Sequence, residues 1–170
     1  MPTVSDLERL YDDHAQALFG FLLNFTRNEA DTHDLLQEVF VKLAQKPELL
    51  HGVREPRAFL LKMAHNLALD AVRRRGVRQK NHDRLARETE PIFEPPNTPD
   101  AAFFSERLAA VLSELPAEQR VVVHLKLWEA MTFERIAEVL DIPPNTAASR
   151  YRYGLDKLRE RLRPLYEELR

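Results

Sequence analysis

Six side chains near the start of the last basic segment have the types and the spacing needed to contact nucleic acid. At 3.6 residues per helical turn, five of them share one outward face and Arg150 lies on its flank. The set consists of Asn145, Thr146, Ser149, Arg150, Arg152 and Tyr153. Their amide, hydroxyl and guanidinium groups suit hydrogen bonds to base edges and phosphates. A solvated helix with a few arginines is the alternative, and the elements around the set favour DNA binding over it.

A second polar stripe recurs about every four residues along the predicted helix 57–75. It consists of Lys62, Asn66, Asp70, Arg73 and Arg74, and the positive charge continues through Arg75, Arg78 and Lys80. An amide near its start and cations near its end suit base contact and phosphate anchoring. Cations in a last helical turn also complement the helix dipole. This helix alone therefore leaves both interpretations open.

Acidic and amide side chains share the outer face of the predicted helix 31–45. They are Asp34, Gln37, Glu38 and Gln45. Carboxylates do not seek DNA, so this face is either a protein-docking surface or an ordinary solvated one.

Nothing in the sequence predicts an enzyme, a metal site or a cofactor. The chain has no cysteine and only four glycines, and it lacks a glycine-rich phosphate loop. The six histidines show no recognised ligand spacing; they are His14, His33, His51, His65, His82 and His124. No apolar stretch approaches the roughly 18 residues that span a membrane. We therefore expect a cytoplasmic protein without membrane insertion.

The net charge of −2 conceals two basic segments. Residues 54–80 carry a net +6 and residues 142–163 a net +4, whereas residues 1–53 and 81–141 carry −5 and −6. Two basic segments separated by acidic ones indicate two local contacts with a polyanion.

Apolar residues at helical spacing predict that helices position these side chains, in an all-α chain of two parts. A capping box at Ser5–Glu8 begins a first helix that runs to about Thr26. Pro47 ends a second helix over 31–45, and Gly76 ends a third over 57–75. The expected inward faces are Leu7, Tyr11, Leu18, Leu22 and Phe25 in the first helix, Leu36, Val39, Phe40 and Leu43 in the second, and Leu60, Met63, Ala64, Leu67 and Ala71 in the third.

Residues 76–102 are rich in proline and acid, which predicts a flexible linker. The expected boundaries are a first domain over 1–80, a linker over 81–102 and a second domain over 103–170. Helices are predicted over 103–115, 117–129, 133–140 and 144–163. The last two, separated by the break at 141–143, form a helix-turn-helix whose second helix enters the major groove. Its inward face contains Ala147, Tyr151, Leu155, Leu158 and Leu162.

These segments together resemble a bacterial RNA polymerase sigma factor of the extracytoplasmic-function, two-domain (group four) family. Asp34–Phe40 is similar to the family's segment that docks on the clamp helices of the polymerase β′ subunit. Arg57–Asn66, followed by Asp70 and Arg73–Arg75, is similar to the segment that reads and opens the minus-ten element. Leu115-Pro116, Arg120, Thr132–Leu140 and Asn145–Arg150 look like the minus-thirty-five reader.

The resemblance implies a sigma factor that binds core RNA polymerase, through its β′ and β subunits, and confers promoter recognition and DNA melting. It assigns Asp34, Gln37 and Glu38 to polymerase binding, the stripe on helix 57–75 to the minus-ten element and the set on the last helix to the minus-thirty-five element. It also implies that loop 46–56 holds a flipped base, that the polymerase does the chemistry, and that an anti-sigma factor is a candidate partner.

Three positions depart from the family pattern: Asp141 replaces a usual glycine, Ala148 a commonly basic residue and Phe59 a common tryptophan. They predict contacts with the minus-thirty-five element that are weaker or differently specified. Two alternatives stay open at this point. One is a stand-alone helix-turn-helix regulator whose N-terminal half dimerises or receives a signal; the other is a helical protein-interaction adaptor with incidental arginines.

Overall fold

The computed structural model describes residues 3–78 and 99–168, and every regular element in these ranges is helical. The helices are α1 (Val4–Thr26), α2 (Glu29–Gln45), a short 3-10 helix (Pro47–Leu50), α3 (Pro56–Arg78), α4 (Pro99–Glu114), α5 (Ala117–Leu127), α6 (Phe133–Leu140) and α7 (Pro144–Glu168). This confirms the predicted all-α fold class. Most of the predicted linker lies outside the described residues.

The helices form two compact units. The first contains α1, α2 and α3, and the second contains α4, α5, α7 and most of α6.

The first unit is held together by apolar faces of its three helices. Its buried side chains include Leu18, Phe21, Leu22, Leu36, Val39, Leu43, Leu60, Leu61, Ala64 and Leu67. The predicted inward faces are therefore largely confirmed. Tyr11 is an exception: its ring meets Phe40 edge-on, with centroids 5.0 Å apart, and remains 45% exposed. A tyrosine often packs its ring against an apolar neighbour while part of the side chain stays in water.

The start of α1 corrects the predicted cap. Thr3, not Ser5, is the N-cap: its hydroxyl accepts from the Asp6 N–H at 3.2 Å, and the Asp6 carboxylate accepts from the Thr3 N–H at 2.7 Å. Thr3-x-x-Asp6 has the same reciprocal geometry as Ser5-x-x-Glu8, so two overlapping capping boxes compete in the sequence. The helix capped by Thr3 forms because it satisfies the same end groups as one capped by Ser5 and adds more helical hydrogen bonds.

The predicted end of the third helix and the predicted start of the fourth are also wrong. α3 continues through Gly76 to Arg78, and α4 begins at Pro99, inside the predicted linker. A glycine within a helix costs only about 1 kcal/mol relative to alanine, so Gly76 does not have to end α3. Proline at the first helical position costs little, because its missing N–H would be unpaired there in any case.

The second unit places α7 against α4 and α5. Buried Val111, Leu112, Leu115, Val123 and Leu158 form its core, and Leu108, Trp128, Tyr151, Leu155 and Leu162 pack around them. Ala147 is fully buried as well. The predicted inward face of the last helix is therefore confirmed.

Gly154 allows a close approach between α7 and α5. It is buried, and a Cβ atom placed there would lie 2.8 Å from the Cγ2 atom of Val123. That separation is shorter than real Cβ contacts, so any larger residue would push the two helices apart.

The helix-turn-helix has defined ends. The Thr132 side chain caps α6 by accepting from the Arg135 N–H at 3.2 Å. Asp141 adopts a left-handed conformation, with φ of 56°, and the Ile142 N–H donates to the Ala137 carbonyl at 3.0 Å. This is the Schellman arrangement, which favours glycine at the left-handed position. Asp141 thus fills the site where the family usually has glycine and keeps its geometry.

Candidate DNA and polymerase interfaces

The outward face of α7 carries the first predicted set. Asn145, Arg152 and Tyr153 are exposed, and Thr146 and Ser149 are half-buried. Tyr153 is 57% exposed, and the Arg152 guanidinium lies 5.7 Å from the centroid of its ring. We name these five residues the reading face. It presents amide, hydroxyl, phenol and guanidinium groups together, a combination that can contact both bases and phosphates.

Arg150 differs from the reading face in its contacts. Its Nη2 atom lies 3.8 Å from an Oε2 oxygen of Glu118, in the first turn of α5. Its side chain is 29% exposed, against 73% for that of Glu118. The flank position predicted for Arg150 is therefore also the position of an ion pair, which the sequence pattern did not indicate.

A cation and two rings connect α5, α6 and α7. The Lys126 ammonium of α5 lies 4.5 Å from the ring centroid of Phe133, in α6. The Phe133 ring meets Tyr151 of α7 edge-on, with centroids 5.5 Å apart. Both arrangements are attractive. Together they fix the orientation of α7 relative to α5 and α6.

The stripe on α3 lies in solvent along its whole length. Lys62, Asn66, Asp70, Arg73 and Arg74 are all exposed. Asp70 and Arg73 approach each other to 4.0 Å, with both side chains more than half exposed. Such a surface pair is weak, so it leaves the Arg73 charge available to a polyanion.

Arg75 does not extend this stripe as predicted. It is half-buried and pairs with Asp31, in the first turn of α2. The pair joins the last part of α3 to the start of α2, which gives Arg75 a structural role. The side chain of Arg78 and the whole of Lys80 lie outside the described residues, so that part of the prediction stays untested.

The outer face of α2 exposes every polar residue predicted there, together with one apolar residue. Asp34, Gln37, Glu38 and Gln45 are exposed, and Val41 is 52% exposed. Val41 follows Asp34 by seven residues, so it lies on the same face. We name these five residues the docking face. An apolar centre within a polar rim is typical of protein interfaces; the sequence signal was an apolar residue in phase with the polar face.

The loop between α2 and α3 contains the 3-10 helix and a turn at Gly52, whose φ is 77°. Phe59 is half-buried in the first turn of α3. Its partial burial fits a role in packing at the start of that helix.

Buried histidines belong to the cores. His65 lies beside Phe21 and Phe25, with ring centroids 6.5 and 5.7 Å away. His124 stacks on Trp128 at 5.6 Å, and burial lowers the pKa of His124 to about 4. Among the described residues, no group of three or more His, Cys, Asp or Glu side chains could hold a metal ion. None of the helices in the same residues is long and apolar enough to span a bilayer.

The fold and these faces define a helical protein with a helix-turn-helix in its second unit. Residues 10–78 match the family Sigma-70 region 2, and residues 105–158 match Sigma-70 region 4. The chain is 32% identical over 164 residues to the ECF RNA polymerase sigma factor SigL of Mycobacterium tuberculosis, covering 94% of this chain and 90% of that protein. It is 32% identical over 168 residues to the RNA polymerase sigma factor CarQ of Myxococcus xanthus, covering 95% and 92%.

The chain belongs to the ECF RNA polymerase sigma factor family. Its fold is also similar to that of the sigma factor RpoE of Bartonella quintana, solved in complex with the anti-sigma factor NepR. That match has a TM-score of 0.78 at 20% identity and covers 94% of this chain and 98% of the other. The predicted sigma-factor function is confirmed, and the stand-alone regulator and the adaptor are set aside.

Proposed function

We propose that the two units divide promoter recognition between them. The first unit, expected to span residues 1–80, binds core RNA polymerase through the docking face and reads the minus-ten element through the α3 stripe. The second, expected to span residues 103–170, reads the minus-thirty-five element through the reading face and Arg150. Residues 81–102 connect them.

One observation carries this assignment: the polar residues of α7 lie outward at the start of a helix whose opposite face is buried. A recognition helix needs both features, because its buried face fixes the orientation in which its outward side chains meet the major groove. The exposed α3 stripe and the docking face support the other two roles. Sigma factors are not enzymes in general, and we propose that this chain leaves all chemistry to the polymerase.

Two further proposals concern partners and location. RpoE of Bartonella quintana was solved with the anti-sigma factor NepR, so we propose an anti-sigma factor as a partner of this chain too. We place the protein in the cytoplasm, where it would meet the polymerase and the promoter.

Transcription with purified core polymerase and fragmented genomic DNA tests the proposal. We expect the chain to bind core polymerase and to direct starts at a small promoter set, with a shared upstream and a shared downstream motif when the start sites are sequenced. Core polymerase without the chain is the control. Failure to bind core polymerase, or starts without shared motifs, would contradict the proposal. Tight binding to palindromic DNA without polymerase would instead restore the stand-alone regulator.

A further inference from the structure

A carboxylate lies at the edge of the proposed reading face, against its flanking cation. Glu118 belongs to the first turn of α5 and contacts Arg150 of α7 through Oε2 and Nη2, 3.8 Å apart. An acid in the first turn suits the helix dipole of α5. The Glu118 side chain is 73% exposed, so packing does not require a carboxylate at this position.

The geometry is that of a carboxylate that is easily displaced from Arg150, not of one that holds Arg150 in place. An acid that aims an arginine at a base normally holds it by a bidentate, short hydrogen-bonded pair. Here the Nη2 atom of Arg150 and the Oε2 atom of Glu118 are 3.8 Å apart, and the Glu118 side chain is 73% exposed. A contact of this kind does not lock a rotamer, and it is easily exchanged for a stronger acceptor.

We propose that Glu118 is an attenuator of upstream-element binding: it competes with DNA for the Arg150 guanidinium. This inference rests on the proposed DNA-reading role of α7. In the free chain the carboxylate occupies an anion position next to Arg150. When promoter DNA arrives, a phosphate or a guanine edge must displace the carboxylate from Arg150. This competition weakens binding, so Glu118 sets an affinity below what the cations of α7 could reach.

Glu118→Gln removes the charge while keeping size and polarity. Because an ion pair whose carboxylate is largely exposed contributes little, we expect the holoenzyme to bind its promoter about two- to fivefold more tightly. Glu118→Asp keeps the charge and should stay near the unaltered chain. The increase in promoter affinity caused by Glu118→Gln should become smaller as the salt concentration rises, since screening weakens both the ion pair and the DNA contact.

The chain offers a matched control on the same unit. Glu114 of α4 pairs with Arg161 of α7 at 3.7 Å, and both of these side chains are exposed. Glu114→Gln changes the net charge by the same amount but frees a cation outside the proposed DNA-binding set, so we expect promoter affinity to stay unchanged. Introducing Glu118→Gln into an Arg150→Ala chain should give no gain, because the competitor then has nothing to compete for.

The measurement is the equilibrium affinity of full-length holoenzyme for a fluorescent promoter fragment carrying both elements, taken at several salt concentrations. The inference is supported if Glu118→Gln raises the promoter affinity only when Arg150 is present and Glu114→Gln leaves the promoter affinity unchanged. Unchanged or weaker binding by Glu118→Gln overturns it, and weaker binding would mean that Glu118 holds Arg150 in place. A gain that persists without Arg150 also overturns it, in favour of plain charge repulsion. If the unaltered holoenzyme shows no promoter-specific binding, the proposed function fails instead.

Discussion

Three residues other than glycine adopt the left-handed conformation in the described ranges: Arg27, Ala130 and Asp141, with φ of 52°, 51° and 56°. Arg27 and Asp141 follow helix ends directly, and Ala130 lies in the connection from α5 to α6. A Cβ atom costs roughly 1–2 kcal/mol in this conformation, and aspartate tolerates it better than alanine does. Ala130 is therefore more strained for its residue type than Asp141.

We expect Ala130→Gly to raise the free energy of unfolding by about 1 kcal/mol, because glycine reaches the left-handed region without a steric penalty. Urea unfolding measures the change. Ala110, exposed within α4, supplies the control: Ala110→Gly should lower the free energy by about 1 kcal/mol, since glycine is a poor helix former. Changes of the same sign at both positions would contradict the strain at Ala130.

His124 should make the stability of the second unit depend on pH. Burial lowers its pKa from 6.5 to about 4, so the unfolded chain takes up the proton first as pH falls. The contribution of buried, neutral His124 to the free energy of unfolding is complete above pH 6.5 and is lost toward pH 4. The loss is about 1.4 kcal/mol per pH unit and on the order of 3 kcal/mol in all. Trp128, the single tryptophan, stacks on His124 and reports the unfolding by its fluorescence.

The control compares two histidine variants between pH 6.5 and 5, where most carboxylates stay ionised. His124→Leu should flatten the dependence, whereas replacing exposed His51 with alanine should leave it intact. If the free energy of unfolding varies with pH in the same way for His124→Leu and the unaltered chain, His124 has the same pKa in the folded and unfolded states.

Val41 tests whether the docking face has an apolar centre. Because its side chain is half exposed, Val41→Ser should change stability little, but it should weaken core-polymerase binding about fivefold if the valine becomes buried there. Val4, 74% exposed at the start of α1, is the matched control, and Val4→Ser should bind normally. Equal affinities for both variants would remove Val41 from the docking face. Fluorescence anisotropy with labelled chain and core polymerase measures them.

At the scale of elements, the contact of α5 with α7 depends on the absence of a side chain at Gly154. Glycine to alanine within a helix ordinarily stabilises by about 1 kcal/mol. Here the added methyl would lie 2.8 Å from the fully buried Val123. We therefore expect Gly154→Ala to destabilise the second unit by about 1–3 kcal/mol, measured by thermal unfolding of the full chain.

A double-mutant cycle separates crowding from other effects of Gly154→Ala. Val123→Ala opens space at the contact, so adding Gly154→Ala to it should cost much less than the same change in the unaltered chain. Equal costs in both backgrounds would show that the methyl does not meet Val123.

The sequence predicted these helices well where one physical rule decided the outcome. The buried faces of α2, α3 and α7 follow from apolar spacing, and the break between α6 and α7 follows from Asp141 and Pro143. Prediction failed where two rules competed. Thr3 and Ser5 offered alternative caps, and Gly76 could end a helix or be carried through one.

Partners from distant parts of the chain explain the rest. Arg75 counted as a surface cation because nothing local shows that Asp31 lies beside it. The Arg150–Glu118 pair and the space needed at Gly154 depend in the same way on how α5 packs against α7. Periodicity identifies the face on which a residue lies, but it does not identify what lies opposite that face.

At the scale of the whole molecule, the acidic and basic segments suit different partners. The docking face offers carboxylates and an apolar residue, whereas the reading face and the α3 stripe offer cations and amides. With a net charge of −2, we expect the free chain to bind DNA weakly, because its acidic groups repel the phosphates. Under the proposed function, polymerase binding must bring the basic faces to the promoter.

This division predicts two kinds of defect that core concentration can distinguish. Asp34→Lys with Glu38→Lys should weaken core binding about tenfold or more, because reversed charges meet the same partner surface. Raising the concentration of core polymerase should restore the full rate of promoter-specific transcription, since DNA reading is intact.

Asn145→Ala with Arg152→Ala should lower the rate of promoter-specific transcription at every core concentration, because each good base contact contributes about 1–3 kcal/mol. Glu8→Lys with Asp12→Lys, on the exposed part of α1, matches the charge change and should leave core binding near normal. A docking defect that persists at saturating core polymerase would refute the division, since Asp34 and Glu38 would then act after core binding. An equal defect in the α1 control would also refute it, since the acidic residues would then act through overall charge alone.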